Sequence, residues 1–349
     1  MNPQLHAYPY RDRYLSTDSG VALIWPFANV MRGEGPYELF LDTNALTKTQ
    51  WVGQLPPQVR ERAILNPWPA LMEQWLSNPM FRKEPSSRID EMTARLAKTG
   101  IRFREGFAEE QTRLLKKNEA QLRTQASLLF PCVAIMKSLM REKLRPGDAL
   151  ERLNFLMNAE VPRFSGCVML MALALLLKAR QPLKLEGDNK PAYSFLESFL
   201  AFQPEKKDET DRICIRYLRN RAGDLSLWYV MPALLQHGYR FVGEPVVVTG
   251  DKALHRVILR VIPPVAHESR VAAFTAPPGE IEDFVRSEIL RIATEWKPPQ
   301  PRTSDERSRL MKKLFELAAD CCEFDEEKEA LMVAWSEWFL PGEGLPMKF

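Results

Sequence analysis

Tyr37-Glu-Leu-Phe-Leu-Asp-Thr-Asn44 is the stretch on which the reading of the fold turns. A short run of strand formers stops at Asp42-Thr-Asn44 and passes into a segment compatible with a helix. That pattern places a carboxylate at the C-terminal edge of a parallel sheet. A second run, Pro245-Val-Val-Val-Thr249, is the continuous β-branched kind expected of a strand buried on both faces, and it ends in Gly250-Asp251-Lys252. Asp42 and Asp251 thus hold equivalent positions. If their strands are neighbours, the two carboxylates meet at the edge where α/β sheets place their sites.

Working outward, Ala63-Ile-Leu-Asn-Pro67 reads as another short strand or a turn, and Pro69 opens a helix that carries Glu73. Residues 1–36 read as irregular chain wrapping the surface. From about Arg82 to Lys207 helical periodicity dominates, with Asn154–Ala179 as its apolar centre. Gln203–Asp211 reads as a charged linker and Arg212–Arg221 as a basic helix end. Gly223-Asp224 then reads as the opening of an apolar helix that runs to His237, with Pro232 as a kink and Gly238 as its C-cap. Two amphipathic helices are expected over 280–296 and 303–340, separated by Pro298, Pro299 and Pro301.

With 349 residues the chain is long enough for two units, or for one unit with a large insertion. Hydrophobic residues at 45% and charged residues at 27% describe a globular protein rather than a disordered or fibrous one. The net charge of +3 identifies no partner by itself, but 7 basic and 11 acidic residues from Arg302 onward leave the preceding chain mildly basic. The five cysteines form an odd set without Cys-x-x-Cys spacing, and His6, His237, His255 and His267 stand singly. Both facts argue against a disulfide framework, a structural zinc and a His-rich metal site. His237 reads as a helix-end partner and His255 as a surface residue. No signal peptide is recognisable, and the longest apolar stretch, Cys167–Leu177, has 11 residues, too few to cross a bilayer. A cytoplasmic protein without a membrane partner is the expectation.

Clustered carboxylates repel one another unless a cation offsets them, and their hard oxygens suit Mg²⁺ or Mn²⁺. The segments Leu39–Leu46, Asn66–Glu73, Gly223–Val230 and Val246–Leu254 together resemble the PIN-like nuclease family. The resemblance covers roughly residues 37–80 and 212–275. It implies an α/β fold with a three-layer α/β/α core and a central parallel sheet, built from residues 1–80 and 208–275. Residues 81–207 would then be an all-helical insertion and 276–349 a C-terminal helical region. It further implies that Asp42, Asp224 and Asp251 bind the metal, with Glu73 as a ligand or holder of the attacking water. Asn44 and Thr249 would support neighbouring carboxylates by hydrogen bonds. Glu160, just before the strongly apolar helix, rivals Glu73.

The function so implied is metal-dependent phosphodiester hydrolysis, with RNA preferred because the resemblance prefers it. A bacterial toxin or phage-defence effector would have this build, its helical insertion taking a protein partner or inhibitor. Arg212, Arg216, Arg219 and Arg221 before Asp224, and Lys252, Arg256 and Arg260 after Asp251, are candidates to grip phosphates. Two rival readings stand beside it: a DNA-directed structure-specific nuclease, and a non-catalytic helical interaction protein whose acids are structural.

Overall fold

The structure, a computed structural model, describes residues 6–104, 107–142, 145–157, 165–202, 210–236, 238–267, 271–295 and 303–339. The linker at 203–209, the proline-marked break at 298–301, Glu160, His237 and Trp296 lie outside them. Among the described residues no helix is long and apolar enough to cross a membrane.

A six-stranded sheet organises the chain. Its strands are β1 (Tyr14–Ser16), β2 (Ala22–Ile24), β3 (Tyr37–Leu41), β4 (Ala63–Asn66), β5 (Arg102–Phe103) and β6 (Glu244–Thr249), in the order β1-β2-β6-β3-β4-β5. β6, β3, β4 and β5 run parallel, while β2 lies antiparallel on β6 and β1 on β2. Two expectations need correction here. Residues 1–36 are not merely irregular, because β1 and β2 extend the sheet beyond β6. The block from Arg82 to Lys207 is not wholly helical, because β5 closes the other edge. Each of these three strands is two or three residues long, too short to show a period of two in sequence.

Alternation along β3 and β6 sends side chains to two cores. Leu39, Leu41, Val246 and Val248 pack with Leu46, Trp51 and Val59 on one face. Phe40 and Val247 pack on the other with Trp68, Leu71, Trp75 and Val257. Helical segments thus cover both faces, which is why Leu39–Leu41 and Val246–Val248 are apolar without interruption. The second cluster continues without interruption through Val133 and Leu173 to Phe315 and Leu331. The helices between β5 and β6 and the C-terminal helices therefore share a core with the sheet. Cys167 to Leu177, the most apolar stretch, is buried along its whole length in the helix Ser165–Ala179.

The C-terminal region differs from expectation in one respect. Instead of a single helix over 303–340 there are two, Ser304–Asp320 and Asp325–Trp338. They pair through Phe315, whose ring lies 5.4 Å from that of Trp335. A hairpin Pro264–His267 and Val271–Phe274 forms a separate two-stranded sheet, β7 and β8.

Candidate active site at the sheet edge

β3 and β6 are parallel neighbours with Leu41 opposite Val248, so their ends deliver Asp42 and Thr249 side by side. The Asp42 N–H continues the ladder to the Val248 carbonyl at 3.1 Å. Its carboxylate is held three times. Oδ1 accepts the Ala45 N–H at 2.5 Å, while Oδ2 accepts the Thr249 hydroxyl at 2.5 Å and the Gly250 N–H at 3.1 Å. The bond from Ala45 makes Asp42 the N-cap of the short helix Thr43–Thr47, so one carboxylate caps a helix and closes the sheet edge. Asp251 follows directly: its N–H reaches back to Thr249 Oγ1 at 3.0 Å, and its Oδ1 accepts the Leu254 N–H at 2.7 Å.

Glu73 and Asp224 arrive on two helices packed against the Phe40 face. The helix Trp68–Ser77 begins where Asn66 Oδ1 accepts the Trp68 N–H at 3.0 Å, and buries Trp68, Leu71, Met72 and Trp75. Glu73 faces the sheet edge, and Thr43 Oγ1 donates to its Oε2 at 2.7 Å. The second helix, Ile215–Gln236, runs without a break and contains Pro232. Asp224 therefore does not open a helix, and Arg212–Arg221 is not the end of one. Arg216, Arg219 and Arg221 instead lie in the first turns of the helix that carries Asp224. Gly-Asp suggests a helix start because glycine is a weak helix former and aspartate a good cap. Here the glycine is mid-helix because Glu73 needs the room: a Cβ on Gly223 would lie 3.2 Å from Glu73 Cγ.

Electrostatics tie the four acids together. Burial pushes the Asp42 carboxyl up to about 6, opposed by its hydrogen bonds and reinforced by the charge of Asp251. Burial likewise raises Glu73 and Asp251. Asp224 is raised well above the usual carboxylate range, first by burial and then by the charge of Asp251, with Glu73 and Asp42 adding and Arg221 opposing. Asp224 thus senses all three other acids. The main offsetting charge is Arg221, whose Nη1 lies 2.7 Å from Asp224 Oδ2.

Among the described residues no group of three or more His, Cys, Asp or Glu side chains is arranged to hold a metal ion as it stands. The donor set nevertheless suits a hard divalent cation. It consists of carboxylate oxygens, and Glu73, Asp224 and Asp251 all retain partial exposure. Glu73 Oε1 and Asp224 Oδ1 accept no hydrogen bond among the described residues. The supporting residues divide. Thr249 serves both Asp42 and Asp251, whereas Asn44 is exposed and its side chain makes no hydrogen bond among the described residues. Thr43 holds Glu73 instead. It stands inside the Asp-Thr-Asn motif, but only the fold shows that its hydroxyl meets the helix of Glu73.

Most of the candidate phosphate-gripping residues are engaged within the protein. Besides Arg221 on Asp224, Arg256 pairs with Asp188 at 3.0 Å, Arg260 with Glu280 at 2.9 Å and Arg212 with Glu326 at 2.9 Å. Arg216 lies over the Phe202 ring and Arg219 over Trp338. Lys252 is exposed beside Asp251 and forms no ion pair among the described residues. The helical spacing expected after Asp251 is replaced by a π-type turn, Leu254–Ile258. That turn buries His255, which is not a surface residue: its Nδ1 lies 3.4 Å from the Tyr14 hydroxyl, and burial lowers its pKa to about 3.

Compared with protein-family models, with curated proteins and with solved structures, the chain matches none. What the fold and geometry define is a mixed α/β protein with an acidic cluster at the C-terminal edge of a mostly parallel six-stranded sheet.

Proposed function

We propose that the chain is a metal-dependent nuclease of the PIN-like kind, hydrolysing phosphodiester bonds in RNA. The observation that carries this reading is the convergence of Asp42, Glu73, Asp224 and Asp251, drawn from distant parts of the sequence, with Arg221 as the arginine paired there among the described residues. Four raised carboxylates with one offsetting cation call for additional positive charge, and an acidic cluster of hard donors supports Mg²⁺ or Mn²⁺ in that role.

Asp42, Asp224 and Asp251 would hold the ion, with Glu73 completing the set. When bound, such an ion supplies Lewis-acid stabilisation of the phosphoryl oxygens and a more acidic attacking water. Glu73, steadied by Thr43, takes a proton from the attacking water. The water oxygen bonds to phosphorus, and the opposite ester P–O bond breaks with its electron pair on the leaving oxygen, which takes a proton from solvent. Lys252 and Arg219 steady the neighbouring phosphates, an interaction that weakens with salt. The RNA preference rests on the family resemblance alone.

Purified protein given labelled single-stranded RNA and DNA side by side, with Mn²⁺ or Mg²⁺, should cut the RNA, and Asp251→Asn should abolish the cut. Equal behaviour of wild type and variant overturns the enzyme reading, and preferential cutting of DNA overturns the choice of substrate. The Arg221–Asp224 ion pair favours one rival, a helical interaction protein whose acids are structural. That rival requires that Mn²⁺ fail to bind at the cluster, which a metal titration of wild type against Asp251→Asn decides.

A further inference from the structure

We propose that Arg221 regulates the filling of the acidic cluster: it is the resident counter-charge of Asp224, and by opposing a divalent ion there it lowers the affinity of the site for that ion. The inference rests on the nuclease reading, whose ion it concerns, and adds a control on when that site is loaded. Arg221 and Asp224 stand three residues apart in the helix Ile215–Gln236, which puts both side chains on one face. Arg221 Nη1 donates to Asp224 Oδ2 at 2.7 Å, and the two side chains are only 18% and 27% exposed. A charge-assisted bond is about twice as strong as a neutral one, and partial burial spares it much of the screening by salt.

The guanidinium is held from behind. Its centre lies 5.1 Å from the Phe199 ring and 5.9 Å from the Tyr217 ring, and Nη2 donates to the Ala201 carbonyl at 3.4 Å. Phe199 belongs to the helix Ala192–Leu200, and Ala201 is its C-cap. That helix therefore steadies Arg221 against the acids. Nε is buried without a hydrogen-bond partner, which leaves the Asp224 bond as the shorter of the two that the guanidinium makes among the described residues. The charge also reaches Asp251: burial raises that carboxyl, and the Leu254 N–H and then Arg221 oppose the rise.

A divalent ion on Asp224 meets this arginine in one of two ways. It displaces the guanidinium from Oδ2, and the ion pair is lost. Otherwise it shares the carboxylate through Oδ1, the oxygen that accepts no hydrogen bond among the described residues, and two like charges then stand on one partly buried carboxylate. Repulsion there is weakly screened, so both routes cost affinity. Asp42, Glu73 and Asp251 still attract an ion. Arg221 therefore sets how tightly the ion is held rather than excluding it.

Calorimetric titration of the full-length protein with Mg²⁺ at pH 8 tests the proposal without reference to cleavage. Arg221→Gln, which removes the charge, should bind Mg²⁺ at least about tenfold more tightly than wild type. Arg221→Lys, which keeps it, should stay within about threefold of wild type. Melting gives a second readout: without metal Arg221→Gln should melt below wild type, and saturating Mg²⁺ should raise it by more than it raises wild type. Should Arg221→Gln fail to fold, the wild-type guanidinium itself reports, since its ¹⁵N NMR signal, assigned with Arg221→Lys, should shift as Mg²⁺ saturates the site. Equal or weaker binding by Arg221→Gln, a lysine variant as tight as the glutamine one, or an unmoved guanidinium signal overturns the proposal and leaves the nuclease reading standing. Absence of Mg²⁺ binding from wild type and both arginine variants overturns the nuclease reading, and this proposal with it.

Discussion

Thr249 donates its hydroxyl proton to Asp42 Oδ2 at 2.5 Å across 207 positions of sequence, and the same oxygen, Oγ1, accepts the Asp251 N–H at 3.0 Å. One buried hydroxyl therefore sets two of the four acids. Thr249→Val keeps the shape and removes both bonds. It should cost about 1–3 kcal/mol in urea denaturation, the usual penalty for leaving buried partners unpaired. Because the Thr249 bond lowers the Asp42 pKa, the Asp42 titration should also move above about 6, which carboxylate NMR would follow. An unchanged titration would show that the hydroxyl does not tune Asp42.

Asp251→Asn tests the mutual repulsion. Asparagine keeps the Oδ1 that accepts the Leu254 N–H, yet removes the charge that raises Asp224 and Asp42. Without added metal the variant should melt about 1–2 °C higher than wild type, the shift expected for about 1 kcal/mol in a chain of this size. It should gain nothing from Mn²⁺, where wild type should be stabilised. A lower melting temperature would mean that Asp251 is chiefly structural.

The pH dependence has a definite sign. Asp42 releases its proton at about 6 in the folded chain and near 3.8 when unfolded. Between those values the folded chain holds more protons, so this contribution to stability is complete below the unfolded value and is lost as pH rises through about 6. Asp42→Asn, which cannot titrate, should flatten that part of the metal-free stability profile between about pH 4 and 7, measured by urea midpoints. His255 acts in the opposite direction. Its pKa of about 3 in the folded chain lies below the ordinary 6.5, so its neutral form favours the fold above 6.5, and the benefit falls as pH drops from there toward 3. A His255→Gln variant separates the two effects.

Gly223→Ala should divide stability from activity. An added Cβ would sit 3.2 Å from Glu73 Cγ, so Glu73 must shift by a few tenths of an ångström. Alanine in place of a mid-helix glycine offers about 1 kcal/mol in return. The melting temperature should therefore change little, while phosphodiester cleavage falls by about tenfold as Glu73 leaves Thr43. Equal activity would remove Glu73 from the proposed chemistry.

The C-terminal acids are not only a solvated face. Glu327 is fully buried; it accepts two bonds from Arg141 at 2.7 and 2.9 Å and one from the Ile213 N–H at 2.7 Å. It thereby ties the last helix to the end of the helix Phe130–Arg141 and to the residues just before the helix that carries Asp224. Glu327→Ala should cost about 3–5 kcal/mol, the loss expected when one partner of a buried ion pair is removed. Glu326→Ala, one residue away and exposed, should change stability by less than about 1 kcal/mol.

The strand-end acids were legible because Asp42 and Asp251 close apolar runs, whereas Glu73 and Asp224 joined them through the family resemblance, and the helix opening read at Gly223-Asp224 is the middle of a helix. What stayed hidden depends on contacts between distant segments. The role of Gly223 needs the Glu73 helix beside it, and Thr43 becomes informative only once its hydroxyl has a partner far along the chain. Arg221 read as a phosphate ligand because sequence shows its charge but not its pairing with Asp224.

The central pairing of β3 with β6 also has a consequence in time. Everything from Asp42 to Gly243 must be synthesised before the strand that completes the edge exists. A chain that stops before β6 holds Asp42 and Glu73 without Thr249 and Asp251, so such a product lacks the cluster. Long-range closure of this kind folds slowly, so the four acids meet only after β6 has been made and has paired with β3.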